Sequence, residues 1–274
     1  MEITAYYTQP TGSTPATFTV QDVINLALSE TEPKRPRTVD KLRSGSPDQV
    51  LTGIVTTMFP TLEVIDKTIK AGANMIIAHE TPFFNNNDDT EWLKDDDVFK
   101  HKMDVLNKHK IAVWRFHDHW HDHKPDGIIY GCVLKMGWEK CYKTEDHQLL
   151  TLPQPEKLSS IVSRIKKALN VPSIRLVGNM DAPIKTVFFC LGFTGIGDIS
   201  KLKPDLIING ETSEVANTEQ IRDGLSVGEN TNLITLSHSV SEEPGMLYCA
   251  QWISPKVPGV KVTNIPSNTP FQYL

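Results

Sequence analysis

Short apolar runs alternate along the chain with amphipathic segments whose apolar residues recur every three or four positions. Short apolar runs predict buried strands, and the amphipathic segments predict helices. The predicted strands are 50–56, 75–78, 111–116, 174–177, 187–192, 206–208 and 233–236. The predicted helices are 19–28, 62–71, 100–109, 155–169, 213–224 and 242–252, while 128–136 is either a helix or a strand.

Strands that alternate with helices are typical of a mainly parallel sheet with helices on both faces, so we predict an α/β fold. The pattern of the first half returns in the second. We therefore expect a single unit over residues 1–274 with two similar halves, about 48–150 and 151–255. A Pro-rich arm over residues 32–47 and a tail after Pro255 flank these halves. Neither has an evident role, and both are candidates for contacts between subunits.

Composition excludes several classes of protein. The chain of 274 residues carries 28 Lys and Arg against 33 Asp and Glu, a net charge of −5, which argues against a nucleic-acid-binding surface. No apolar run approaches the ~20 residues of a membrane span. The first basic residue is Lys34, so a positively charged leader is absent, and we expect a cytoplasmic protein unless a leader has been removed. The scattered cysteines exclude a Cys-rich zinc site, and we predict that Cys190 and Cys249 are core residues.

Residues that bind metals or transfer protons follow four of the predicted strands. They are His79 and Glu80, the run from His117 to His123, Glu211, and His238 with Glu242. The carboxyl ends of parallel strands line the ligand crevice of an open sheet, so these four ends could converge on one site. Imidazole and carboxylate without thiolate fit zinc, manganese, iron, cobalt or nickel at a reactive centre.

The spacing within these groups is compatible with metal coordination. In an extended backbone the histidines at 117, 119, 121 and 123 share a face, whereas in a helix His117 pairs with His121. His238 and Glu242 share one face if a helix starts there. An isolated strand-end histidine is more often a core residue, and we interpret His101, His109 and His147 as core or surface histidines. Four strand ends with the same chemistry favour a metal site.

A glycine-rich segment, residues 191–197, follows the predicted strand 187–192. It departs from the Gly-x-Gly-x-x-Gly pattern, and Asp198 would repel an anion. We interpret this segment as a tight turn beside the site, with phosphate binding as the weaker alternative.

Four blocks resemble those of the NIF-three-like dinuclear-metal family, whose members are also named GTP cyclohydrolase I type-two homologues. Residues 71–84 resemble the family's Gly-Ala-(x)-apolar-His-His-Pro-apolar-Phe block. Residues 113–121, 205–211 and 236–242 resemble its later blocks in the same order. Glu80 stands where the family has its second histidine, and His121 stands where it has an aspartate. The family's acidic residue after the first strand is missing near residues 56–59.

The resemblance implies a three-layer α/β fold of two related halves, assembled as a toroidal homohexamer with interior sites. It also implies two divalent metal ions per chain. Together with the spacing of the histidine run, it assigns the metal ligands to His79, Glu80, His117, His121, His238 and Glu242.

We expect a metal-dependent hydrolase of cyclohydrolase or phosphoesterase type, acting on a small molecule such as a nucleotide. Glu211 is the candidate general base and His119 the candidate proton shuttle, with His123 as an alternative. Four aromatic residues are candidates for stacking a planar ring: Phe83, Phe84, Trp114 and Trp120. The alternative is a non-catalytic metal-binding scaffold or metal chaperone, whose ligands would leave no coordination position open.

Overall fold

A computed structural model describes residues 17–31, 35–87, 89–146, 148–193, 195 and 199–273. Its helices are α1 (Val20–Ser29), α2 (Leu62–Lys70), α3 (Asp97–Lys108), α4 (Asp118–Asp122), α5 (Gly127–Met136), α6 (Leu158–Leu169), α7 (Ile199–Leu202), α8 (Glu219–Ser226) and α9 (His238–Ile253). Its strands are β1 (Leu42–Ser44), β2 (Ile54–Thr57), β3 (Met75–Ala78), β4 (Ala112–Arg115), β5 (Leu149–Lys157), β6 (Arg175–Val177), β7 (Pro183–Cys190), β8 (Leu206–Asn209), β9 (Asn232–Thr235) and β10 (Val262–Asn264).

The chain forms two compact units. Unit 1 comprises Met1–Gly127 and Met246–Ser267, and unit 2 comprises Ile128–Gly245 and Asn268–Leu274. The first boundary between the two units along the chain lies after Gly127. Each unit contains one five-stranded sheet, and each sheet has three parallel strands at its centre.

The sheet of unit 1 has the order β1-β4-β3-β2-β10, in which only β1 runs antiparallel to its neighbour. All residues of β2, β3 and β4 are buried, including the polar Thr56, Thr57 and Arg115, as expected for the central strands of a parallel sheet. Helix α2 begins after Thr61, whose side chain accepts a hydrogen bond from the Val64 amide, and it packs Val64 and Ile65 into the core beside β2 and β3.

The sheet of unit 2 has the order β5-β7-β8-β9-β6. Its centre, β7, β8 and β9, is parallel, whereas the edge strands β5 and β6 are antiparallel to their neighbours. A core cluster joins Ile207 and Leu233 on the sheet to Ile221 on α8. The two sheets confirm the predicted α/β class with mainly parallel strands.

Most predicted elements are present, but two begin later than predicted. The strand predicted over 50–56 begins only at Ile54. Residues 155–157 belong to β5, so the predicted helix 155–169 begins only at Leu158. Pro153 and Pro155 lack amide hydrogens and hold the preceding residues extended, and the pairing of β5 with β7 shifts register across this stretch. The ambiguous segment 128–136 lies in helix α5. In the predicted helix 213–224, a π-helix over Glu214–Thr218 precedes α8.

The arm and the tail both contain strands that complete the sheet of unit 1. Within the arm, β1 pairs with β4, and within the tail, β10 pairs with β2. The interpretation of residues 32–47 as a loop is therefore wrong at Leu42–Ser44; residues 32–34 lie outside the described part of the chain.

The cysteine prediction is confirmed. Cys190 and Cys249 are buried, and neither forms a disulfide. Burial raises the pKa of the Cys190 thiol to about 11 and that of the Cys249 thiol further, so both remain protonated at neutral pH. Among the described residues, every helix is too short or too polar to cross a bilayer.

Candidate metal centre

Strands β3 and β4 carry the candidate ligands of unit 1 at their carboxyl ends. His79 and Glu80 continue the ladder beyond β3, and their amides donate to the carbonyls of Thr57 and Met58 at 3.1 and 2.9 Å. The chain turns at His117 into the single helical turn of α4, which brings His121 over His117. The helical alternative for the histidine run is therefore correct.

His79, His117 and His121 form a compact cluster, the three-histidine set. The His79 ring stacks on that of His117 with centroids 4.4 Å apart, and His121 meets both rings edge-on at 5.0 Å. One ligand atom from each ring lies within 4.8 Å of the others. His79 is fully buried, whereas His117 and His121 are partly exposed, so the cluster lies beneath a surface that solutes can reach.

Each ring of the three-histidine set has its Nδ1 atom close to an oxygen. The partners are the Phe116 carbonyl for His79 at 3.3 Å, Asp118 Oδ1 for His117 at 3.0 Å and Asp126 Oδ2 for His121 at 3.0 Å. Carbonyl and carboxylate oxygens only accept, so Nδ1 carries the proton and Nε2 keeps its lone pair. Outer partners that fix the tautomer in this way are typical of metal-binding histidines. The hydrogen bond from His117 holds the pKa of Asp118 well below its usual range, so Asp118 stays ionised.

Glu80 is held by a buried cation. Arg115, the last residue of β4, has no exposed surface, and its Nη2 donates to Glu80 Oε2 at 2.6 Å. The second oxygen of Glu80, Oε1, lies 3.7 Å from His117 Nε2. Glu80 therefore directs one oxygen to the guanidinium and the other to the three-histidine set.

A second buried cation fixes the loop that follows Glu80. Lys102 on α3 donates to the Pro82 carbonyl at 2.8 Å and lies over the ring of Phe84 at 5.4 Å. Burial lowers the pKa of Lys102 to about 8 because the charged form loses hydration.

His119 lies apart from the three-histidine set. Its Nδ1 and Asp40 Oδ2 are 2.7 Å apart, and its ring is buried. Asp40 also accepts from the amides of His117, Asp118 and His119 at 2.8 to 2.9 Å, which satisfies the amino end of α4. The proton-shuttle role of His119 stays a prediction. Its contact with Asp40 indicates that His119 helps to hold α4 in place. The alternative shuttle, His123, is buried with its Nδ1 2.7 Å from the Pro125 carbonyl.

Unit 2 carries a smaller group of candidate residues, the His238–Glu242 pair with Glu211. His238 begins α9 after β9, and its Nε2 lies 3.2 Å from Glu242 Oε2 one turn later. Glu211, which follows β8, has its Oε1 2.7 Å from His238 Nδ1. Glu242 is buried, whereas about half of the Glu211 side chain is exposed. Glu211 therefore fixes the tautomer of His238 with Nε2 towards Glu242; its role as general base stays a prediction.

The tight turn predicted beside the site is present at Gly192. Its φ of +62° lies in the left-handed region, and a Cβ there would collide with Glu242 Oε1 and lie 3.0 Å from His238 Nε2. The Gly192 amide donates to Ser241 Oγ at 3.0 Å, and its carbonyl accepts from the Glu211 amide at 2.8 Å. The backbone thus packs directly on the His238–Glu242 pair. The rest of the glycine segment, Thr194 and residues 196–198, lies outside the described residues.

Three of the four proposed stacking aromatics are in the core. Phe83, Trp114 and Trp120 are at most 4% exposed, so the expectation that they stack a substrate ring is wrong. Phe84 is 53% exposed and remains a candidate. The histidines set aside as core or surface residues, His101 and His109, are exposed, and His147 lies outside the described residues.

The sequence interpretation missed three supporting residues: Asp40, Arg115 and Asp126. A charged residue at the end of an otherwise apolar run was a usable signal for Arg115. Asp40 and Asp126 carry no such signal, because an acidic residue in a polar segment is most often simply solvated.

The donor sets fit a divalent metal ion. Three imidazoles with Nε2 lone pairs are a ligand set for zinc, cobalt, nickel or iron, and the carboxylates add oxygen donors. The convergence of four strand ends on one site stays a prediction, because two of the ends belong to each unit.

Comparisons with known proteins agree with the fold. A protein of Clostridium acetobutylicum named GTP cyclohydrolase 1 type 2 homolog is 25% identical over 185 residues, which span 63% of this chain and 67% of that protein. Two solved structures, Staphylococcus aureus protein SA1388 and a Bacillus cereus protein related to NIF3, share the fold with TM-scores of 0.74. They are 20% and 15% identical to this chain, and each alignment covers 94% of it and 99% of the other chain. The sequence profile of Duf34/NIF3 (NGG1p interacting factor 3) matches residues 19–270, so the chain belongs to the Duf34/NIF3 family.

Proposed function

We propose that this protein is a metal-dependent hydrolase whose principal ion is held by His79, His117 and His121. The observation that carries the proposal is the shared pattern at their Nδ1 atoms, each of which faces an oxygen acceptor. One ring nitrogen of each histidine lies within 4.8 Å of the others, which is close enough for all three to bind one divalent ion. Sites with three protein ligands are typical of catalytic metal centres, in which a further position would be open to water or substrate.

A divalent ion at this set supplies Lewis acidity, which activates water near neutral pH and polarises a substrate oxygen. The residues of the chain hold the ligand rings in fixed orientations. Asp118 and Asp126 hold the rings of His117 and His121, and Asp40 fixes the start of the helix that carries them. These contacts reduce the reorganisation that metal binding and catalysis would otherwise require.

The His238–Glu242 pair is the proposed contribution of unit 2 to a second ion. Its donors are one imidazole nitrogen and one carboxylate, 3.2 Å apart. Glu211 is the proposed proton acceptor of the reaction, because its carboxylate is half exposed while its bond to His238 keeps it in place. The substrate class is a small molecule with a hydrolysable ring or ester, such as a nucleotide. The printed name of the Clostridium relative, a GTP cyclohydrolase homolog, supports this class.

The test is elemental analysis of purified His121→Ala and His238→Ala proteins, with His101→Ala as an exposed histidine control. We expect His121→Ala to lose the principal ion, His238→Ala to lose the second and His101→Ala to match the parent protein. Unchanged metal content in both site variants would overturn the assignment of the ligands.

Hydrolysis is tested separately by screening the metal-loaded protein against nucleotides, phosphoesters and cyclic amides. We expect turnover of one class that Glu211→Gln reduces at least ~100-fold, in the range of general acid–base contributions. A protein that binds metal as described but hydrolyses none of these compounds would contradict the hydrolase and support the non-catalytic metal-binding scaffold.

A further inference from the structure

Unit 1 contains an ion pair directly beneath its candidate ligands. Arg115 is fully buried, and its guanidinium donates to Glu80 Oε2 at 2.6 Å, to Asn86 Oδ1 at 2.7 Å and to the Asn86 carbonyl at 2.8 Å. A guanidinium without access to water must be matched by an opposite charge, because an unpaired buried cation is strongly unfavourable. Glu80 therefore supplies the counter-charge of Arg115.

This pairing changes what Glu80 offers to a metal ion. Its Oε2 atom is engaged by Arg115, and only Oε1 faces His117 Nε2 at 3.7 Å. A carboxylate that shares its charge with a guanidinium is a weaker donor, and it cannot chelate an ion through both oxygens. The three-histidine set thus lies beside a pair whose net charge is zero.

Ions differ in how much they depend on anionic oxygen donors. Mn²⁺ prefers carboxylate and water, whereas Zn²⁺ binds imidazole well and needs no anionic ligand. Three imidazoles beside a neutralised carboxylate therefore favour Zn²⁺ more than the ligand list of His79, Glu80, His117 and His121 would indicate.

We propose that Arg115 is a specificity-determining residue that sets the ion preference of the three-histidine set by cancelling the charge of Glu80. The proposal rests on the metal binding proposed above and adds that the site prefers Zn²⁺ over Mn²⁺. It assigns a role to a residue that touches no ion itself and acts through Glu80.

The test is the ratio of the dissociation constants for Mn²⁺ and Zn²⁺, measured by competition with a chromophoric chelator. We expect Arg115→Gln, which leaves Glu80 charged without the guanidinium beside it, to lower the Mn²⁺/Zn²⁺ ratio at least ~10-fold, the scale of outer-shell effects on metal affinity. Glu80→Gln, which removes the negative charge beside Arg115, should raise the ratio. The double variant Glu80→Gln with Arg115→Gln is neutral again and should return the ratio to within about threefold of the parent.

Because each single variant leaves one buried charge, thermal unfolding of the metal-free proteins is measured alongside. Arg115→Lys retains the charge and should keep the parent ratio even if its stability falls. If the folded variants all share the ratio of the parent, or if the double variant departs from it as far as a single one, the proposal is wrong. Failure of the proposed function is distinguishable, because the parent protein would then bind neither ion.

Discussion

The two units hold their candidate ligands by different means. In unit 1 two of the three histidines, His117 and His121, are supported by side chains: Asp118 and Asp126 contact their rings, and Asp40 holds the start of α4. In unit 2 the backbone turn at Gly192 packs on the His238–Glu242 pair, and one half-exposed carboxylate, Glu211, orients the imidazole.

The same contrast extends to buried charge. Among the described residues, the two buried cations, Lys102 and Arg115, both belong to unit 1. They fix the loop after Glu80 through the Pro82 carbonyl and through Asn86. Unit 1 therefore contains a network of buried charged groups around its candidate ligands, whereas the group in unit 2 depends on the shape of the backbone. A substitution in this network should therefore act through the charges around the ligands. A substitution in the turn at Gly192 should act through the packing of the backbone on the His238–Glu242 pair.

The largest expected effect follows from Gly192→Ala. The added Cβ would collide with Glu242 and would require an unfavourable positive φ, so we expect a loss of about 2–5 kcal/mol in the free energy of unfolding. Gly137→Ala is the matched control, because Gly137 has a φ of +71° and an added Cβ there would have no neighbouring atom within 4 Å. It should cost only about 1 kcal/mol, from the backbone alone. Equal losses in chemical denaturation would show that the turn does not depend on its contact with Glu242.

The next effect compares the orienting carboxylates. Asp126→Asn and Glu211→Gln each remove a charge from Nδ1 of one histidine, and we expect metal affinity to fall about 10- to 100-fold in either case. The loss should be greater for Asp126→Asn, because Asp126 is buried at 7% exposure and water cannot replace its charge. Metal affinity is measured by chelator competition. A greater loss in Glu211→Gln would reverse the comparison between the units.

The smallest effect is a pH dependence from the buried cation Lys102. Its pKa in the folded protein, about 8, lies below the ordinary value of 10.5, so the unfolded chain binds more protons between these values. Lys102 should therefore contribute a rise of about 1 kcal/mol in the free energy of unfolding from pH 8 to pH 9. The buried thiols of Cys190 and Cys249, whose pKa values are raised, oppose this rise, so it is read as a difference between variants.

Lys102→Met should remove this rise, and Lys108→Met, an exposed lysine on the same helix, should leave it in place. The measurement is urea denaturation at both pH values. If the free energy of unfolding changes with pH in Lys102→Met by as much as it does in the parent protein, Lys102 does not contribute to the pH dependence.

The central strands and the chemistry at their ends were predictable because both are local properties of the sequence. Four apolar residues predict β3, and His79 and Glu80 follow it directly. The pairing of His117 with His121 was one of two local alternatives. The hydrogen bonds that Asp40 accepts from the amides at the start of α4 favour the helical one. Asp40 lies 77 residues before His117, so no local pattern could reveal this partner.

The errors have the same origin. Residues 155–157 resemble the start of an amphipathic helix, but pairing with β7 and the two prolines keep them extended. Phe83, Trp114 and Trp120 follow or precede candidate ligands, and only the packing of the core shows that their rings are inaccessible. Burial of a side chain depends on distant parts of the chain. The spacing of residues in the sequence therefore could not show which aromatic rings are accessible to a substrate.

The strand order also affects how the protein is synthesised. The sheet of unit 1 is complete only when β10 joins β2, and the Asn264 side chain reaches the Thr56 carbonyl across 208 positions of sequence. Nearly all of unit 2, Ile128–Gly245, is translated before that strand exists. On the ribosome we therefore expect unit 2 to reach its native fold first. Until β10 is made, the edge of β2 in unit 1 remains unpaired. Translation that stops before residue 262 would leave a chain whose three histidines are all present but whose supporting sheet is unfinished.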